Sequence, residues 1–152
     1  MESEIRKIHQ ALNTGSTNCT GLVEHKIKEL EGSPNNTANH LLADTAMEEA
    51  LKVDKKLKAG KKIGLLEGIP FGVKDVYLLQ GCNASASSDF LKNYKSPYTA
   101  TAIQKLVDAG AIPLVKENCD SFGHGSSNEN TVFGPVKNAL NEKLVPGGSS
   151  GG

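Results

Sequence analysis

The sequence predicts an α/β fold, with helices leading and part of a mixed sheet following. Three observations carry this expectation. Apolar residues recur at helical spacing through positions 1–60. Short apolar runs punctuated by Gly and Pro begin at Gly64. A helical pattern over 99–109 ends at Gly110 and feeds straight into Ala111-Ile112-Pro113-Leu114-Val115, the αβ alternation from which parallel or mixed sheets are built.

The first helix is expected over 3–13, with Ile5, Ile8 and Leu12 on one face and Thr14-Gly15 as its stop. A second over 20–31 presents Leu22, Val23, Ile27 and Leu30, and Gly32 ends it. Ser33-Pro34-Asn35-Asn36 reads as a turn, and Leu41-Leu42-Ala43 as a short strand. Thr45 and Glu48 spell a capping box for a third helix. Met47, Ala50, Leu51 and Leu57 would face inward from it, with its lysines, Glu48, Glu49 and Asp54 forming a solvated face. Ile69-Pro70-Phe71-Gly72-Val73 reads as a buried strand, residues 81–97 as loop, and Ala102, Ile103, Leu106 and Val107 as the inner face of the helix over 99–109. From Glu117 to Gly152 the chain is mostly loop chemistry, and a loop that long in a compact domain is more often functional than idle. The whole, 1–152, reads as one unit: 1–60 helical, 61–152 sheet and Gly/Ser-rich loops, with no internal boundary.

Composition excludes some functions. Seventeen basic and seventeen acidic side chains balance, which argues against a generic nucleic-acid or membrane-surface binder. Three dispersed cysteines, Cys19, Cys82 and Cys119, fit neither a disulfide framework nor a zinc site and suggest a reducing cytoplasm. The acidic start lacks the apolar segment of a signal peptide. No apolar run approaches the ~20 residues a membrane helix needs.

Two features could carry chemistry. Lys74 closes the apolar stretch Gly68-Ile69-Pro70-Phe71-Gly72-Val73 and precedes Asp75. It is either a strand-end lysine reaching water or pairing with Asp75, or a buried amine whose pKa desolvation lowers, so that its neutral form can act as a base. The run Pro146-Gly147-Gly148-Ser149-Ser150-Gly151-Gly152 is either a flexible linker or a shaped loop presenting hydroxyls that such a base could serve. A phosphate cradle is disfavoured, because no Lys-Ser/Thr follows the glycines.

Residues 68–75, 146–152 and the spacing between them resemble the lysine motif and the Gly/Ser-rich signature of the amidase signature family. Lys116-Glu117-Asn118-Cys119-Asp120-Ser121-Phe122, Gly125-Ser126-Ser127-Asn128-Glu129-Asn130 and Phe133-Gly134-Pro135-Val136-Lys137-Asn138 are similar to segments of its tRNA-dependent amidotransferase branch. The resemblance implies an incomplete amidase signature fold and a Ser–cisSer–Lys triad, with Lys74 as base and Ser149 as bridging serine behind a cis peptide bond. The nucleophilic serine and oxyanion hole of the family would lie past Gly152, so residues 1–152 would be inactive alone, with a loose serine loop and a tendency to self-associate.

The resemblance further implies glutamine as substrate, amidotransferase subunits of the B and C type as partners, and tRNA engaged through the complex. No cofactor or metal is implied for this chain, ATP and magnesium belonging to a partner subunit. Gly123, His124, Gly125, Ser126 and Ser127 would line the substrate pocket, with Ser126 and Ser127 placed to orient Lys74 or touch substrate. His124 reads as pocket wall, Cys119 as a small buried side chain, and Asp75 and Asp120 as structural partners. A stand-alone amidase of small amides is the alternative within the class. A non-catalytic binding or scaffold domain with a flexible Gly/Ser tail is the alternative outside it.

Overall fold

The computed structural model describes residues 3–152. Its elements in chain order are α1 (Glu4–Thr14), α2 (Cys19–Glu31), β1 (Ala38–Leu41), α3 (Ala43–Lys58), β2 (Pro70–Lys74), α4 (Thr101–Asp108) and β3 (Ile112–Glu117), with short 3-10 turns at Asp89–Leu91 and Ser121–Gly123. The fold is mixed α/β, as the sequence predicts.

The helix ends follow from local chemistry. The Ser3 hydroxyl accepts from the Arg6 amide at the start of α1. Gly15, at φ 72°, returns its N–H to the last carbonyls, a conformation glycine adopts without Cβ strain. Asn18 caps α2 by accepting from the Gly21 amide at 2.7 Å. A second cap comes from far along the chain. The Asp54 carboxylate, buried on α3, accepts from the Cys19 amide at 2.7 Å, the Thr20 amide at 3.1 Å and the Thr20 hydroxyl at 2.8 Å.

That contact corrects the expected face of α3. Asp54 and Val53 turn inward with Ala46 and Ala50, while Leu51 is exposed. The expected capping box is also absent: α3 begins at Ala43, after Leu42, with no side-chain cap, so Thr45 already lies inside the helix. The expected strand over 41–43 shifts to Ala38–Leu41 because pairing, not the local apolar run, sets its register: Leu41 opposes Val115 and His40 opposes Lys116. On α4, Ile103 is buried and Ala102 exposed, since only one face of this outer helix meets the sheet.

The sheet order is β1-β3-β2, with β1 antiparallel and β2 parallel to central β3. Leu12, Val23, Ile27, Ala46, Ala50, Val53 and Ile63 from the helical side pack with Ile112 and Leu114 of β3 to form the core. Gly110, at φ 86°, joins α4 to β3, and a Cβ there would sit 2.9 Å from the Glu67 Cα. The parallel β2–β3 pairing carries Lys74 and Glu117 to the same end of the sheet, where the long loop 118–152 folds back.

Candidate active site

Lys74 is the last residue of β2 and half-buried. Its Nζ donates to Ser149 Oγ at 2.6 Å and to Ser150 Oγ at 2.8 Å. Ser149 is half-buried and Ser150 exposed. The two motifs singled out in the sequence therefore meet. The encounter is a product of topology: β2 ends at the lysine, and the loop after β3 returns over the same sheet end.

The serine loop makes hydrogen bonds at successive points. The Gly148 amide donates to Ser126 O at 2.7 Å, and the Asp120 amide donates to Ser149 O at 3.1 Å. The Gly151 amide donates to Asn128 Oδ1 at 2.8 Å, and the Gly152 amide to Asn118 O at 3.0 Å. All these partners lie within residues 118–128.

Glycine is required at Gly151 by close approach: a Cβ would lie 2.3 Å from Asn128 Oδ1 and 2.7 Å from Asn128 Cβ. The expected cis bond before Ser149 is not present; every described peptide bond is trans. Trans is the form favoured by about 3 kcal/mol outside proline.

Of the five residues expected to line a substrate pocket, Ser126 bonds to this loop, and the five play unequal parts. His124 is exposed. Gly123, at φ 72°, follows Phe122, itself left-handed at φ 56° and exposed. Gly125 sits against Asp120: a Cβ would lie 2.2 Å from its carboxylate. Ser126 contributes its carbonyl to the Gly148 amide. Lys74 bonds to Ser149 and Ser150, not to the hydroxyls of Ser126 or Ser127.

Asp75 and Asp120 hold structure, as expected of them. Asp120 Oδ2 accepts from the Asn128 amide and Oδ1 from the Asn130 amide, each at 3.0 Å, which closes the turn facing the serines. Cys119 is fully buried and burial pushes its thiol up, which disfavours the thiolate.

Two further side chains belong to the site and were not singled out in the sequence. Lys116 is completely buried, and burial pulls its ammonium down. Asn128, also buried, clamps Gly151. The signal available for Lys116 was its place at the end of an apolar strand, the same pattern that marked Lys74. Asn128 is left-handed at φ 62° within a Gly/Ser-rich loop, and sequence pattern offers no handle on that.

A base candidate hydrogen-bonded to paired hydroxyls at a sheet end, on a mixed α/β scaffold, defines the class of serine–lysine sites. The family model described as Amidase matches residues 22–152. The chain belongs to the amidase family.

Among similar proteins, the A-type subunit of glutamyl-tRNA(Gln) amidotransferase from Nostoc punctiforme is 40% identical over 152 residues, covering 99% of this chain and 31% of that protein. Its namesake from Acidobacterium capsulatum is 59% identical over 85 residues, covering 56% of this chain and 18% of that protein. The backbone matches a solved amidase structure at a TM-score of 0.87 and 30% identity, covering 98% of this chain and 34% of that one. It matches the solved A-type subunit of glutamyl-tRNA(Gln) amidotransferase from Thermotoga maritima at a TM-score of 0.56 and 41% identity, over 60% of this chain and 20% of that one. The chain thus spans at most about a third of the length of these curated relatives.

Proposed function

We propose that residues 1–152 supply the proton-handling half of an amide-hydrolysing site, and that the complete protein releases ammonia from glutamine for a tRNA-dependent amidotransferase. The observation that carries this reading is the 2.6 Å contact between Lys74 Nζ and Ser149 Oγ. Lys74, as the neutral amine, accepts the Ser149 proton. Ser149 in turn takes the proton of the nucleophilic serine that the complete protein supplies. An alcohol is a poor nucleophile until a base removes its proton, so the relay is what makes acyl-serine formation possible at neutral pH. Attack of that serine on the glutamine side-chain amide forms the acyl-serine as the C–N bond breaks and ammonia leaves with a proton returned through the relay, and water then hydrolyses the acyl-serine to free glutamate.

Naming of the sequence relatives as amidotransferase subunits supports glutamine as the amide. In this reading B- and C-type subunits receive the ammonia, tRNA is engaged through them, and ATP with magnesium serves the activating step on a partner. The location is cytoplasmic. Among the described residues no helix is long and apolar enough to cross a membrane.

A second reading, hydrolysis of small amides by a stand-alone enzyme, is favoured by one observation. The backbone overlays on the solved amidase over nearly its whole length, and on the solved amidotransferase component over a smaller part. Ammonia release by the complete protein from glutamine, and from small aliphatic and aryl amides, separates the two. Glutamine preference together with co-purifying partner subunits supports the first. Turnover of small amides by an isolated protein that ignores glutamine replaces it with the second.

A further inference from the structure

We infer that the buried Asp75–Lys116 pair is a positioning device that keeps Lys74 and Ser149 in register, an inference resting on the catalytic reading of those two residues. Lys116 and Asp75 are both completely inaccessible to solvent, with Nζ 3.5 Å from Asp75 Oδ1. Among the described residues, none donates a hydrogen bond to Oδ1. A buried ion pair is a poor way to gain stability compared with apolar packing, so its value here lies in what its fixed geometry holds.

The pair holds Lys74 from both sides. Lys116 Nζ donates to the Tyr77 carbonyl, and the Tyr77 amide donates to the Lys74 carbonyl at 2.9 Å. The turn that follows the base is therefore pinned from β3. On the other side, Asp75 Oδ2 accepts from the Ser85 hydroxyl, from the Ser87 amide at 3.0 Å and from Asn39 Nδ2 at 3.1 Å.

Those bonds brace a strained segment. Ala86 and Ser87 are consecutive left-handed residues, at φ 48° and 51°, a conformation kept by non-glycine residues only where surroundings over-determine it. The same segment reaches the serine loop. Ser87 Oγ accepts from the Cys119 amide at 3.1 Å, Ser87 O accepts from the Ser121 hydroxyl at 2.8 Å, and Ala86 O accepts from the Phe122 amide at 2.9 Å. Between Cys119 and Ser121 lies Asp120, whose amide holds the Ser149 carbonyl and whose carboxylate holds Asn128, the clamp on Gly151. One connected set of hydrogen bonds thus runs from the backbone flanking Lys74 to the Ser149 carbonyl and the Gly151 amide.

The test uses the complete protein and the charge-free double variant Asp75→Asn/Lys116→Met, which leaves no unpaired buried charge. Two quantities are read: kcat and KM for ammonia release, and amide hydrogen exchange across 148–152. The expected result is a cooperatively melting protein with KM near wild type, kcat lowered by roughly 100-fold, and faster exchange at Gly148 and Gly151. Ser87→Gly serves as a second variant that tolerates the left-handed backbone while losing the hydroxyl that meets Cys119; the same direction is expected. Unchanged kcat and unchanged exchange in either folded variant overturn the inference. If Lys74→Ala leaves hydrolysis intact while the double variant still loosens 148–152, the catalytic reading of Lys74 falls and the mechanical link stands.

Discussion

Lys74 Nζ and Ser149 Oγ are hydrogen-bonded at 2.6 Å although 75 residues separate them. The relay proposed above needs an amine that can lose its proton, a demand that charge alone at this position does not meet. Lys74→Ala is expected to lower amide hydrolysis by the complete protein by at least roughly 100-fold. Lys74→Arg is expected to do the same, because a guanidinium does not deprotonate in proteins and has no acceptor. Steady-state ammonia release measures both. Activity retained in the arginine variant would leave Lys74 as an electrostatic group only.

Gly151→Ala tests the shape of the loop separately from the base. The added methyl would meet Asn128 near its Cβ as well as its side-chain oxygen, so a rotamer change cannot absorb it. The expected outcome is a loss of hydrolysis with a melting temperature close to wild type, since the loop lies outside the helical core. A variant as active as the parent would show that the Asn128–Gly151 clamp is dispensable.

Asp54→Ala should act on stability instead. Removing the carboxylate leaves the Cys19 amide without a partner in a buried place and strips Thr20 of two bonds. A charged cap of this kind is worth about 1.5–3 kcal/mol, readable in denaturant or thermal unfolding. Asp54→Asn, which keeps one acceptor, is expected to recover part of the loss. A change below about 0.5 kcal/mol would mean that Asn18 alone suffices to cap α2.

Cys19 sets a pH limit. Burial, with a smaller contribution from the Asp54 carboxylate, raises its thiol from 9.0 to about 12. Above the ordinary thiol range the unfolded chain gives up this proton while the folded chain keeps it. Stability is therefore expected to fall as pH rises from 9.0 toward 12, by about 1.4 kcal/mol per pH unit at most from this group. Comparing unfolding of the parent and Cys19→Ala across that window isolates the effect; identical slopes would remove Cys19 as its source. In the folded protein at pH 8, Cys19 should resist alkylation.

The helices illustrate what periodicity can and cannot tell. Each expected helix appears with bounds close to those expected, because apolar spacing and glycine stops are local signals. The cap of α3 departs from expectation for the opposite reason. Thr45 and Glu48 match a local capping pattern, yet the chain enters the helix directly from β1, whose position is decided by pairing with β3. Asp54 and Leu51 exchange their expected places because the unfilled amides at the start of α2 lie over that part of α3 and bind a carboxylate there.

The sequence by itself determined that Lys74 closes an apolar strand and that Ser149 and Ser150 sit among glycines. The spacing of these motifs also sufficed for the resemblance to the amidase signature family that the family comparison shows. Such features are written in consecutive residues, each with a backbone or burial preference of its own. Only the tertiary structure decided that the lysine reaches both hydroxyls, that the peptide bond before Ser149 is trans, and that Lys116 rather than Lys74 is the fully buried lysine. The physical reason is that these outcomes depend on pairing and burial between distant segments. β3 supplies the partner strand that carries Lys74 to the sheet end, and the same strand turns Lys116 away from water onto Asp75.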